Sequence, residues 1–245
     1  MKQFLLVGLV LATLNTTAQN DSLSSGVYPI AGKPAGSTTD LSMFKAHAST
    51  LAPGQTNHPP RALNDAEELI FIKEGSLKVS INDSAKILGA GSIVLIMAGD
   101  KQSFQNNSDK PVTYYVLTFT SGSPVDNTRS KQGGGSMMID RNSLTVKRTD
   151  KGESRPILDR ATSMFTRLEV HATMLNGGME SHPPHTHREE EIMLLMDGKL
   201  TAHIGTKDSN AVPGDIILLR PGIIHNVKNA GTERCWYFAI KWSNM

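Results

Sequence analysis

Very little in this sequence pulls toward a single partner class. Lys+Arg number 25 and Asp+Glu 23, a formal net charge of +2, so no basic stripe argues for nucleic acid and no acidic excess argues for disorder. Only one cysteine is present, Cys235, which excludes an internal disulfide. Its place in the apolar run Cys235-Trp236-Tyr237-Phe238 assigns it to packing. Long apolar runs are also lacking, except at the extreme N-terminus. There Met1-Lys2 is followed by an apolar stretch from Phe4 to Leu14 and by the small residues Thr16-Thr17-Ala18. That is the anatomy of a secretory signal peptide over residues 1–19. It falls short of the about 20 apolar residues of a membrane span. A secreted or periplasmic protein with no stable membrane anchor is expected.

What is present is a repeat. His47-Ala48-x-x-Leu51-x-x-Gly54-x-x-x-His58-Pro59-Pro60 recurs as His171-Ala172-x-x-Leu175-x-x-Gly178-x-x-x-His182-Pro183-Pro184, an offset of 124. After a one-residue slip the offset of 123 holds without a gap. Glu67, Glu68, Gly75, Leu77, Gly91, Gly99, Asn106 and Tyr114 then match Glu190, Glu191, Gly198, Leu200, Gly214, Gly222, Asn229 and Tyr237. Two halves follow, at 28–120 and 140–243. The segment 121–139, rich in Ser, Asn and Gly, is read as a linker.

Within each half the period is two. Leu168, Val170, Ala172 and Met174 alternate with Arg167, Glu169, His171 and Thr173, the pattern of a half-buried strand. Short apolar runs separated by Gly, Pro and Asn-Asp turns continue it. The fold class expected is all-β, as two tandem antiparallel sandwiches or small barrels.

The chemistry concentrates in the second half, which holds six of the eight histidines. His185-x-His187 sets two imidazoles on one face of a strand, and Glu191 keeps the same parity. His225 enters beyond the Pro221-Gly222 turn. Three imidazoles and a carboxylate suit a divalent transition metal (Mn, Fe, Co, Ni, Cu or Zn). His182 is assigned to a turn or the rim of the site, His171 and His203 to outward faces, and Glu189 and Glu190 to solvent. Met174, Met179, Met193 and Met196 are assigned to the core or a pocket wall. Arg220, near the end of a strand, is the candidate contact for an anionic substrate.

At these residues the chain resembles the cupin superfamily. The first cupin motif is matched by Gly178, His185-x-His187, Glu191 and Gly198, with one extra residue after the first Gly. The second is matched by Gly214, Gly222, His225 and Asn229, with Arg220 standing where a Pro is usual. The resemblance implies a bicupin of two jelly-roll β-barrels with a divalent metal at His185, His187, Glu191 and His225. In the first half the ligands are gone. Gln102 replaces the last His, and counting back from Glu68 puts Ala62 and Asn64 at the His-x-His positions. That barrel is expected to be structural or a metal-free pocket, with Gln102 and Arg61 satisfying the buried Glu68.

The function expected is metal-dependent chemistry, of oxidoreductase, dioxygenase or lyase type, on a small carboxylated or oxygen-rich molecule. Non-catalytic, metal-dependent binding or sensing of a small molecule is the alternative. No catalytic group is identified beyond the metal, and oligomers could form by barrel packing.

Overall fold

The computed structural model describes residues 21–244, so the expected export signal lies outside the described residues. The two halves build four antiparallel sheets stacked as small, large, large and small. The first half's large sheet runs Met137–Ile139, Ile93–Ile96, Glu67–Glu74, Val112–Ser121, Leu41–Leu51 and Ala35–Gly36. The second half's runs Gly26–Pro29, Asp215–Leu219, Glu190–Asp197, Cys235–Ser243, Arg167–Leu175, Gly152–Arg160 and Lys147–Thr149.

The outermost strand of each large sheet comes from the other side of the repeat. Gly26–Pro29 pairs with Asp215–Leu219, and Met137–Ile139 pairs with Ile93–Ile96. The segment 121–139 is therefore more than a connector. It carries a helix, Asn127–Gln132, capped by Asp126, and ends in a strand of the first half's sheet.

Strand parity sorts the side chains into three cores. Even-numbered residues of the second half (Val170, Ile192, Leu194, Phe238, Ile240, Trp242) pack against odd-numbered residues of the first (Leu69, Phe71, Leu117, Phe119). Phe71 and Phe238 meet across this interface at 4.6 Å between ring centroids, and Phe119 and Trp242 at 5.5 Å. The opposite faces of the large sheets close against the small sheets. One such core lies around Ile70, Leu77 and Val116, the other around Leu175, Met193, Leu195 and Tyr237. Strands Ile93–Ile96 and Asp215–Leu219 are buried on both faces, which is why Ile93–Ile96 and Ile216–Leu219 read as continuous apolar runs rather than alternations. Met196 joins the core between the halves, whereas Met179 is exposed, contrary to the packing role expected of it.

Two repeated turn devices hold this arrangement. Gly75 and Gly198 take φ of +79° and +86°, and a Cβ would come within 2.9 Å and 2.7 Å of the backbone of Val112 and Cys235. Only glycine meets both demands. Asn106 and Asn229 each donate from Nδ2 to two carbonyls that close a loop, Leu51 and Lys110 in one case, Leu175 and Glu233 in the other.

The charge doublet also divides by parity, and this corrects the assignment of Glu190 to solvent. Glu190 is fully buried and accepts from Thr38 Oγ1 at 2.5 Å, Thr39 N at 2.9 Å and Asp40 N at 3.0 Å. Its repeat counterpart Glu67 accepts from Ser163 Oγ at 2.5 Å and Met164 N at 3.0 Å. Each half thus holds a loop of the other through a buried carboxylate. Replacing Glu190 by Ala strands three donors and is expected to cost about 3 kcal/mol of stability, read as a lower urea midpoint. Glu190→Gln, which keeps an acceptor, should lose clearly less. A Glu190→Ala protein with the natural midpoint would show that this carboxylate is not a structural tie.

Candidate metal centre

In the second half, odd-numbered residues face the barrel interior. Glu191 lies there beside Met193 on one strand, with Tyr237, Ala239 and Lys241 on the next and His171, Thr173 and Leu175 on the third. These side chains line a cavity of about 520 Å³ that also receives Ser181, His182 and His185.

The histidine pair arrives on a loop. Pro183 and Pro184 have no N–H to donate, so no ladder forms across 182–189, and the strand begins only at Glu190. This differs from the strand expected for His185-x-His187. One isolated antiparallel bridge does the positioning: His185 N donates to His225 O at 3.1 Å, and His225 N donates to His185 O at 2.9 Å. The turn at Gly222, φ +74°, is tied in as well, its N donating to His187 O at 2.8 Å.

Nitrogen atoms of His185, His187 and His225 lie within 4.8 Å of one another. Nδ1 of His187 bonds the Glu189 carbonyl and Nδ1 of His225 the Ile223 carbonyl, both at 2.9 Å. Such bonds fix the ring and turn the Nε2 lone pair to the cluster. Glu191 Oε2 stands 3.0 Å from His187 Nε2 and 3.3 Å from His225 Nε2. The four residues expected as ligands are therefore brought together.

Two buried nitrogens, His185 Nδ1 and His225 Nε2, have no hydrogen-bond partner. Buried polar atoms are rarely left so, and a lone-pair donor at such a place fits a cation. The electrostatics agree. Burial pushes the Glu191 carboxyl up, but the adjacent imidazoles of His187 and His225 and the charge of Lys241 outweigh it and hold it at about 2. Burial and the neighbouring imidazoles lower His185, which favours the neutral ring that a metal requires.

Of the other expectations, those for His171 and Arg220 change and those for His182, His203 and Cys235 hold. His171 was assigned outward, yet the even face of its strand is the one covered by the other half, so its odd face lines the cavity. His182 sits on the rim with its ring 4.0 Å from that of His185. His203 faces outward and pairs with Asp208 at 2.8 Å. Arg220 is not at the cavity at all. Its guanidinium bonds Ser22, Leu23 and Thr39, so it clamps the N-terminal arm. The cations that do line the cavity are Lys151, on the hairpin at its edge, and Lys241, on a barrel strand. Parity could have found the second, since Lys241 continues the interior series Cys235, Tyr237, Ala239. Cys235 is buried and unpaired, and burial raises its thiol to about 11, in keeping with packing.

The first half shows what replaces a centre of this kind. Arg61 pairs with Gln102 as His185 pairs with His225, so the one-residue slip falls after position 61. Arg61, rather than Ala62, holds the place of the first histidine. Glu68 accepts from Gln102 Nε2 at 2.7 Å and from Thr118 Oγ1 at 3.2 Å. Arg61 lines the same cavity, where its charge favours the ionised carboxyl, but it closes no ion pair with it.

Comparison with known proteins follows this geometry. AerE from Microcystis aeruginosa superposes with a TM-score of 0.65 at 18% identity, over 89% of this chain and 97% of that one. An oxalate decarboxylase from Lactobacillus farciminis, in complex with formate, gives 0.68 at 11%, over 93% and 88%. The Bacillus subtilis oxalate decarboxylase, described for its Mn(II) centres, gives 0.67 at 12%, over 93% and 80%. At such identities the likeness is one of fold. A search of curated proteins finds no match. Among the described residues no helix is long and apolar enough to cross a membrane. The Cupin domain family model matches twice, at residues 48–118 and 171–241, once in each repeat, and the chain belongs to that family as a bicupin.

Proposed function

We propose that this chain is an exported bicupin that binds one divalent transition metal through His185, His187, Glu191 and His225. It would use that metal on a small carboxylated or oxygen-rich molecule, in oxidoreductase or lyase chemistry. The observation that carries the reading is the convergence of these four side chains, two of their nitrogens unpartnered, on a cavity that also holds Lys241. The Mn(II) centres of the B. subtilis decarboxylase and the formate of the L. farciminis complex support it, because a small carboxylate is what a metal beside a lysine would take.

With three neutral imidazoles and one carboxylate, a bound divalent ion keeps a net charge of about +1 and supplies Lewis-acid polarisation of a substrate oxygen. The remaining work falls to the chain. Lys241 pairs with a carboxylate at the cavity wall. His171 and His182, both lowered first of all by burial, present neutral rings able to accept a proton. Tyr237 keeps its proton, since burial and the Glu191 charge push its hydroxyl up. The hairpin over residues 147–160 walls the cavity with Thr149 and Glu153, and Lys151 Nζ is fastened to Ser181 O at 3.1 Å.

Elemental analysis of the purified protein should find about one transition metal per chain, since only the second half keeps the ligands. The combined His185→Ala and His187→Ala variant should be empty. About two metals per chain, or a double variant that stays loaded, would move the ligands elsewhere. The loaded protein is then tried on a panel of small carboxylates and phenols. Turnover supports the enzyme, and saturable binding without turnover replaces it by the sensing reading.

Lys241→Met should raise KM, or Kd, for carboxylates by about tenfold or more and leave metal content unchanged. An equal effect on uncharged analogues would deny Lys241 its charge role.

Export is tested by N-terminal sequencing of protein from its native host, which should begin near Gln19 or Asn20. An intact Met1 on the soluble protein would count against it.

A further inference from the structure

The first half has a cavity of its own, about 150 Å³, on the inner face of its large sheet. Three of the four ligand positions of the second half have a counterpart there, two of them with altered chemistry. Glu68 remains, Gln102 stands for His225, and Arg61 takes the place of His185 by its pairing with Gln102. A guanidinium has thus entered where the other half gathers imidazoles. This replaces an exchangeable cation by a fixed one.

The hydrogen-bond inventory shows what is left over. Both oxygens of Glu68 are taken, by Gln102 Nε2 and by Thr118 Oγ1. Gln102, 2% exposed, has a buried Oε1 with no donor. Because its Nε2 is committed to Glu68, this amide cannot flip to relieve the shortage. Arg61 lines the cavity with its guanidinium engaged in no hydrogen bond or ion pair among the described residues. The site offers a planar cation that suits a carboxylate, and an acceptor in want of an O–H or N–H.

We infer that this cavity is a metal-free binding site for a small α-hydroxycarboxylate, whose carboxylate pairs with Arg61 and whose hydroxyl donates to Gln102 Oε1. The size agrees, since a cavity of about 150 Å³ holds roughly a benzene-sized molecule, and glycolate or lactate is no larger. Burial pushes the Glu68 carboxyl above the usual range, and both of its oxygens already accept from the protein. Tyr114, Ser49 and Asn57 complete a polar wall. The inference does not rest on the metal reading of the second half.

Calorimetric titration of the full-length mature chain with glycolate tests it, repeated on the His185→Ala and His187→Ala double variant so that the second half cannot account for the heat. Saturable binding at one site per chain, with Kd about 1 mM or tighter, should survive the double variant. It should weaken about tenfold or more in Arg61→Gln, whose exposed position allows folding to be confirmed by circular dichroism. Acetate, which lacks the hydroxyl, should bind clearly more weakly than glycolate. Lack of saturable binding, its loss in the double histidine variant, indifference to Arg61→Gln, or equal affinity for acetate would each overturn the assignment.

Discussion

A strand buried on both faces gives alternate residues to different environments, and the central strands of this molecule live under that constraint. The glutamate doublets show its force. In Glu190-Glu191 the first side chain goes to the interface between halves, where Thr38, Thr39 and Asp40 donate to it. The second goes to the barrel, where imidazoles meet it. Glu67-Glu68 repeats the division. A one-residue slip would put the ligand carboxylate into the core between the halves and the tie into the cavity. Fixing the register for packing therefore fixes the site, and the interface between halves and the chemistry inside them are one problem.

Burial alone disfavours a charged carboxylate, so each of these groups is set by its neighbours. Glu191 has His187, His225 and Lys241 around it and is held at about 2. Glu68 has neutral donors and a more distant Arg61, and burial prevails, raising it. Between the halves, Lys241 corresponds to Thr118 and His225 to Gln102. These substitutions, with Asn64 at the place of His187, separate a stabilised anion from a carboxylate satisfied by hydrogen bonds.

Much of this was legible in the sequence because period and offset are properties of the chain itself. The all-β class, the two halves and the grouping of His185, His187, Glu191 and His225 follow from strand parity, the repeat and the spacing of the ligands. What escaped was what depends on the other half. Glu190 looks like a solvated charge until a second sheet covers its face. His171 looks outward for the same reason, since alternation tells two faces apart but not which of them is covered. Arg220 reads as a free cation because its partners, Ser22, Leu23 and Thr39, lie 181 to 198 residues away in sequence. The crossing of Gly26–Pro29 into the second half's sheet left no trace in a four-residue segment.

The halves also differ in how their cavities are walled. After its exchanged strand Gly26–Pro29, the first half reaches Leu41 with only the two-residue strand Ala35–Gly36 at the sheet edge. After Met137–Ile139, the second half runs much farther before Arg167, and that extra length folds as the hairpin of Lys147–Thr149 and Gly152–Arg160 along the edge strand. Gly152, at φ +145°, lets the hairpin lie so close that a Cβ would meet Met174 O at 1.9 Å, so the approach depends on glycine there. The added strands do little for the core between the halves, to which Leu158 alone contributes a buried side chain, but Thr149, Asp150, Lys151, Glu153 and Ser154 all face the cavity. The inserted segment thus lies beside the histidine cluster, in the half that retained it, where its charged and polar side chains wall the cavity.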